Sequence, residues 1–292
     1  MSKPPHKAGY VSIIGKPNVG KSTLTNQLVG ERLSIITSKA QTTRHRILGI
    51  ISGENFQILY SDTPGIIKPE YELHSSMMKF VSSSLEDADM VLFVTDLYEK
   101  YDDDLIERLK RIKQPIIMIM NKMDLSKGSQ LTDKLEYWNT AFSPEKVISV
   151  SALEGKGIEE VFNGIIEHLP EHEAYFPKDQ LTDKPERFFA SEIVREKIFL
   201  NYKKEVPYST EVEIEEFIED EKIIRIRALI YVERKSQRGI IIGKGGLALK
   251  KVGIQSREDL EKFFGKQVHL ETFVKVAEDW RRKELKLKNF GY

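Results

Sequence analysis

Tyr10-Val11-Ser12-Ile13-Ile14 runs straight into Gly15-Lys16-Pro17-Asn18-Val19-Gly20-Lys21-Ser22. The first five residues are mostly apolar and β-branched, as a buried strand is, and from Lys21 onward the spacing turns helical. Between strand and helix lies G-x-x-x-x-G-K-S, the pattern of a loop that wraps phosphate. The ligand explains the residue types. Glycines at 15 and 20 let backbone N–H groups approach a polyphosphate, and a helix N-terminus adds partial positive charge. Lys16, Pro17, Asn18 and Val19 supply the cradle and Lys21 reaches the outer phosphates. Ser22 offers its hydroxyl to Mg²⁺, and Thr23 completes the set.

Outward from this loop, short apolar runs alternate with helical stretches. Strands are predicted over 10–14, 46–51, 56–60, 90–95, 115–120 and 147–150, and helices over 21–29, 74–85, 102–110, 129–141 and 157–168. Such alternation builds βαβ units and a mostly parallel sheet covered on both faces. Gly53-Glu54-Asn55 is too short for a crossover helix, so the second and third strands form an antiparallel hairpin at the sheet edge. The stretch 170–185, with Pro170, Pro177 and Pro185 among polar residues, reads as a linker. A different pattern follows: a helix over 188–202, strands over 210–217 and 222–232, a helix over 247–264, a strand over 267–274 and a basic helix over 279–288. The expected organisation is an α/β P-loop domain over 1–172, a linker over 173–185 and a smaller α+β domain over 186–292.

A length of 292 residues suits two domains. With 40% hydrophobic and 31% charged residues, the composition is that of a globular chain, not a disordered or fibrous one. The absence of cysteine excludes disulfide scaffolds, Cys-ligated metal centres and thiol nucleophiles, and fits a reducing compartment. No apolar run approaches the roughly 18 residues of a membrane-spanning helix. The first ten residues carry no secretory signal pattern, so a cytoplasmic protein is expected. A net charge of zero hides an asymmetry: residues 1–185 hold 22 basic and 26 acidic residues, residues 186–292 hold 23 and 19.

Two further motifs bear on the phosphate loop. Asp62-Thr63-Pro64-Gly65 follows the third predicted strand, where a carboxylate can hold Mg²⁺ through water and the Gly65 N–H can meet a γ-phosphate. Asn121-Lys122-Met123-Asp124 follows the fifth. The Asp124 carboxylate would accept the two N–H donors that guanine presents and adenine lacks. Asn121 would hold the loop and contact the base, and Lys122 would cover the ring. Ser151-Ala152-Leu153, after the sixth strand, would offer a backbone N–H to the guanine O6. An ATPase would lack Asn121–Asp124 in this form, and each motif occurs once, which excludes a tandem of such domains.

In the second half, Gly243-Lys244-Gly245-Gly246 is a G-x-x-G loop. Ile240, Ile241 and Ile242 precede it, and Leu247 and Leu249 follow at helical spacing. The segment 234–251 carries Arg234, Lys235, Arg238, Lys244, Lys250 and Lys251 and no acidic residue. Such a cluster is either a polyanion footprint or a solvated helix face. Helix–GxxG–helix on a three-stranded sheet clamps a single-stranded backbone of about four nucleotides. The glycines permit close approach, Lys244 neutralises phosphate, and Ile241, Ile242 and Leu247 either pack in the core or floor a base-accepting groove. No aromatic RNP pattern occurs.

These motifs, in this order, resemble the translation-factor-related GTPases, and followed by a type II KH module they resemble the bacterial Era GTPases over essentially the whole chain. Phe189-Ala190-Ser191-Glu192-Ile193-Val194-Arg195-Glu196-Lys197 looks like the helix that opens that family's second domain. The resemblance implies a GTP/GDP switch whose KH module binds near the 3′ end of 16S rRNA, gated by nucleotide state during maturation of the 30S ribosomal subunit. It further implies that Gln41-Thr42-Thr43-Arg44 is a segment whose threonine closes on Mg²⁺. Thr42 is the reading favoured here, with Thr43 as the alternative. The expected metal set is Ser22, Thr42 and Asp62. Ile66 stands where Ras-like enzymes orient water with glutamine, so intrinsic hydrolysis should be slow. The expected catalytic set is Asn18, Thr42 and Gly65, with K⁺ bridging Asn18 and the phosphates, as in related GTPases with an equivalent asparagine.

The competing reading is a membrane-associated regulatory GTPase, resting on the basic tail Arg281-Arg282-Lys283-Glu284-Leu285-Lys286-Leu287-Lys288 as a surface helix at the inner membrane face. No lipidation motif accompanies it. The six histidines show no ligand-like spacing, and a monomer is expected.

Overall fold

The computed structural model describes residues 5–100, 102–126 and 130–292. The chain divides into two compact units. One comprises Met1–Ser34, Thr43–Lys68 and Met77–Asp183, the other Ile35–Thr42, Pro69–Ser76 and Lys184–Tyr292.

In the first unit the order is β1 (Lys7–Ile14), α1 (Lys21–Val29), β2 (Ile47–Ser52), β3 (Phe56–Asp62), α2 (Glu72–Glu86), β4 (Met90–Asp96), α3 (Asp103–Lys110), β5 (Ile116–Asn121), α4 (Gln130–Phe142), β6 (Lys146–Ser149) and α5 (Ile158–His168), with α2 straddling the division between units. The six strands form one sheet in the order β2-β3-β1-β4-β5-β6. All neighbours are parallel except β2 and β3, the expected edge hairpin. The apolar runs are continuous because both faces are covered. Leu92 and Val94 of β4 join one cluster with Leu24 and Leu28 of α1 and Val161 and Ile165 of α5. Their neighbours Val91 and Phe93 join another with Leu105 and Leu109 of α3 and Trp138 of α4. α1 spans the predicted residues because Gly20 and Gly30 bracket it, each in the left-handed conformation suited to glycine. The predicted first residue of α4, Ser129, lies outside the described residues.

The stretch 170–185 is not a free linker. His172 N bonds His6 O at 3.1 Å, and Gln57 Oε1 accepts from the amides of Tyr175 and Phe176 at 2.7 and 3.0 Å. Ile50 N then bonds Leu181 O at 2.8 Å and Leu48 N bonds the Asp183 carboxylate at 3.0 Å. The edge strand β2 would otherwise expose unpaired backbone groups, and this strap satisfies them.

The second unit contains α6 (Glu186–Asn201), β7 (Glu211–Glu219), β8 (Ile223–Val232), α7 (Lys235–Ile242), α8 (Leu247–Phe264), β9 (Gln267–Val276) and α9 (Glu284–Asn289). Its sheet runs β7-β8-β9, antiparallel then parallel, and helices cover one face through Ile193, Ile198, Ile241, Val252 and Leu260. The predicted basic helix over 279–288 is broken. Trp280–Arg282 form a single 3-10 turn, Trp280 is fully buried with its indole N–H on Ser209 O at 2.9 Å, and Leu287 is buried.

Candidate functional site

Gly15 and Gly20 each occupy positions that only glycine fills. A Cβ at Gly15 would lie 2.1 Å from the Val94 carbonyl, and one at Gly20 would lie 2.2 Å from Asn121 Nδ2. The loop between them is held by Asn121. This side chain is buried at the end of β5, donates to Val19 O at 2.9 Å, and accepts from the amides of Lys122 and Ala152 at 2.8 and 3.0 Å. One side chain therefore ties the phosphate loop to the two later motifs. Lys122, in the left-handed conformation, extends its ammonium to Asn18 O at 2.7 Å and to Asp96 at 2.6 Å. Ser151 Oγ donates to the exposed Asp124 carboxylate at 2.5 Å, and Leu153 is also exposed.

Lys21 is buried, with Nζ 2.9 Å from Lys16 O and 3.2 Å from Gly15 O. Burial pushes its ammonium down to about 8, against the opposing pull of Asp62 and Glu99. Polyphosphate charge beside it would favour the protonated form. Asp62 is fully buried at the end of β3. Oδ2 accepts from Ser34 Oγ at 2.6 Å, while Oδ1 has no hydrogen-bond partner. Burial holds its carboxyl above the usual carboxylate range, opposed chiefly by the hydrogen bond from Ser34. Gly65 packs so closely on the loop that a Cβ would lie 2.7 Å from Pro17 N, and Ile66 N bonds Gly15 O at 2.9 Å.

It is Thr43, not the favoured Thr42, whose hydroxyl lies beside Ser22. Thr43 Oγ1 lies 2.8 Å from Ser22 Oγ, whereas Thr42 Oγ1 is spent on Lys39 O at 2.7 Å and Thr37 Oγ1 at 2.6 Å. Adjacent hydroxyls point different ways along the chain, and the backbone here aims the second one inward. Thr23 follows Ser22 on α1, and Asn18, with φ of 65°, presents an exposed side chain.

In the second unit Gly243, Gly245 and Gly246 all have positive φ, and a Cβ at Gly243 would meet Ala248 Cβ at 2.6 Å. Lys244 and Gly245 are exposed at the tip of the loop. A groove of about 530 Å³ runs beside it, lined by Arg238, Ile242, Leu249, Phe273 and Lys275 among others. Arg234, Lys235 and Lys250 are exposed but do not line it. Ile241 is a correction: it is 0% exposed and belongs to the core, so it cannot meet a ligand. In a run of three isoleucines, composition cannot say which one the helix turns inward. Sequence reasoning missed Leu249, Lys275 and Phe273. The last is 48% exposed on β9, and an aromatic on the wet side of a strand was the available signal.

In the tail Arg281 pairs with the Glu233 carboxylate and stacks on Tyr71 at 4.9 Å, and Leu287 is buried, while Arg282, Lys283, Leu285, Lys286 and Lys288 are exposed. Among the described residues no helix is long and apolar enough to cross a membrane.

The model of the 50S ribosome-binding GTPase family matches residues 10–122, and that of the KH domain matches residues 205–281. The chain is 46% identical over 302 residues to "GTPase ERA-like, chloroplastic" of Oryza sativa subsp. japonica, covering 98% of this chain and 70% of that protein. It is 47% identical over 302 residues to "GTPase ERA1, chloroplastic" of Zea mays, covering 98% and 71%. Among solved structures it is similar to Era in complex with MgGDPNP and nucleotides 1506–1542 of 16S ribosomal RNA, with TM-score 0.94, 39% identity and coverage of 98% and 99%. A variant Era of Aquifex aeolicus bound to GDP·AlF4⁻ gives TM-score 0.93 and 39% identity over the same shares.

Proposed function

The chain belongs to the Era-like GTPases, a GTPase domain followed by a KH domain, and from that premise we propose that it is a slow GTP-hydrolysing switch that binds the 3′ region of 16S rRNA and acts in assembly of the 30S subunit. The observation that carries the nucleotide half is the triple bond set of Asn121, which holds phosphate loop and base loop in one register.

Asp124 reads the guanine N1–H and exocyclic amine, held in place by Ser151, and Ala152 and Leu153 close over the base edge. Gly15–Thr23 wrap the phosphates, with Lys21 on the outer ones. The oxygen donors Ser22, Thr43 and Asp62 fit Mg²⁺, which takes hard oxygen ligands about 2.9 Å apart along an octahedral edge. The 2.8 Å between the two hydroxyls matches that spacing, and Asp62 Oδ1 is a buried acceptor with capacity to spare. Mg²⁺, when bound, neutralises charge on the transferring phosphate. Gly65 brings its backbone against the loop, and Ile66 gives no hydrogen bond to water, which supports slow turnover. Asn18 is the residue through which K⁺ would add positive charge.

On the RNA side, Lys244 and the loop glycines hold backbone phosphates, while Ile242, Leu249 and Phe273 give bases an apolar and stacking surface. Titration calorimetry on the full chain tests the reading: GTP and GDP should bind and ATP should not, and an oligoribonucleotide matching 1506–1542 of 16S rRNA should bind. ATP binding as tight as GTP would refute it.

A further inference from the structure

Glu192, Arg195, Glu196 and Lys197 crowd one helix, and all four are buried. Charged side chains almost never bury unless paired and hydrogen-bonded. Within α6 the Arg195 guanidinium donates from Nε and Nη2 to the two Glu192 oxygens at 2.7 and 2.6 Å. Lys197 pairs with Asp259 of α8. Other bonds from this cluster go to Ile35–Thr42 of the same compact unit. Arg195 Nη2 also donates to Thr42 O, and Glu196 Oε1 accepts from the Ile36 amide at 3.3 Å. In return Lys39 Nζ donates to the carbonyls of Phe199 and Tyr202, the latter at 2.7 Å. Those carbonyls lie at the C-terminal end of α6, where unpaired acceptors and the helix dipole favour a cation.

Charged groups thus hold both ends and the middle of this segment. Its next residue is Thr43, whose hydroxyl lies on Ser22. Arg195 Nη1 is buried without an acceptor, so the bonds to Glu192 and Thr42 are what offset its burial.

We propose that Arg195 and Lys39 are positioning residues for GTP hydrolysis: by fixing Ile35–Thr42 on α6 they present the Thr43 hydroxyl to Ser22. The inference rests on the reading of Ser22 and Thr43 as Mg²⁺ ligands. Neither Arg195 nor Lys39 needs to touch the nucleotide. Arg195 acts through the carbonyl of Thr42 and Lys39 through the carbonyls that end α6, so α6 fixes the segment that leads into Thr43.

The test uses the full chain with Lys39→Ala, which leaves no carboxylate unpaired, and with Glu192→Gln/Arg195→Met, which removes both members of the buried pair. Hydrogen exchange of a peptide covering 35–42 is measured alongside kcat and KM for GTP. Loss of one charge-assisted bond should speed exchange about tenfold and lower kcat by a similar factor, with KM changed by less than about twofold. Lys39→Arg should restore both. Unchanged exchange in both variants, or an effect on KM alone, overturns the proposal. Failure of the unaltered chain to bind GTP would overturn the nucleotide reading as well, and that control separates the two failures.

Discussion

Ser22 Oγ and Thr43 Oγ1 lie 2.8 Å apart, one opening α1 and the other preceding β2. Their neighbours do not share this arrangement. The first prediction follows from it. Thr43→Ala should lower kcat for GTP by at least about tenfold and raise the Mg²⁺ needed for half-maximal rate, since even residues behind a metal ligand cost that much. Thr42→Ala, which loses only local bonds to Thr37 and Lys39, should cost far less. Equal losses in a magnesium titration would return the ligand role to Thr42.

Asp124 accepts from Ser151 and faces solvent beside the loop that Asn121 anchors. Replacing its carboxylate by an amide, Asp124→Asn, leaves one acceptor and adds a donor. Guanine then meets an unpaired N–H, while xanthine, with a carbonyl at that place, finds a partner. The preference for GTP over XTP should reverse, with GTP weakened about a hundredfold or more. Competition binding with both nucleotides measures it.

Glu99 supplies a pH dependence. Its side chain is buried, with Oε2 accepting from Thr95 at 2.6 Å and Oε1 3.6 Å from Lys16 Nζ. Burial raises its carboxyl above the usual range, outweighing Thr95 and Lys16, and Asp96 adds to the rise. A carboxyl whose folded value lies above its unfolded one binds protons more readily when folded. Its ionisation therefore costs stability at neutral pH, and the cost disappears below the ordinary carboxylate value of about 4.3. Glu99→Gln should melt higher than the unaltered chain at pH 7.5, and the gap should close as pH falls toward 4.5. A lower melting temperature at pH 7.5 would mean the Lys16 contact dominates.

The exposed Lys244 at the tip of the G-x-x-G loop is expected to make RNA binding salt-sensitive. For single strands, each neutralised phosphate contributes about −0.7 to the slope of log K against log salt. Lys244→Ala should reduce that slope by about 0.7. GTP hydrolysis in the absence of RNA should be untouched, so a slope left unchanged would remove Lys244 from the interface.

Asn18 carries the monovalent-cation prediction. Its exposed side chain sits at a left-handed position in the phosphate loop. Hydrolysis should run several-fold faster in potassium than in sodium buffer, and Asn18→Ala should erase the difference. Equal rates for the unaltered chain would leave Asn18 only a role in shaping the loop.

The mostly parallel sheet, its hairpin edge and the strand–loop–helix context of residues 10–29 were legible in the sequence because each is a local pattern. Period, glycine placement and the strand-to-helix transition all lie within a few residues of one another. What escaped depended on partners far along the chain. Nothing in the local pattern of α6 marks its charges as buried, yet they pack against Ile35–Thr42 more than 150 positions earlier. The proline-rich stretch read as a linker, though Gln57 and the edge of β2 bind it. Thr42 and Thr43 are chemically identical neighbours, so only the backbone path could separate them. Ile241 and Ile242 differ only in which side of α7 they occupy.

Coupling between the bound nucleotide and the RNA groove is the claim on which the account turns. It is tested most directly by the affinity of the full chain for a fluorescent oligoribonucleotide matching 1506–1542 of 16S rRNA, measured with GDP and with GDPNP at one salt concentration. About tenfold tighter binding with GDPNP, a coupling of about 1.4 kcal/mol, is the predicted result. Identical affinities in the two states would contradict it.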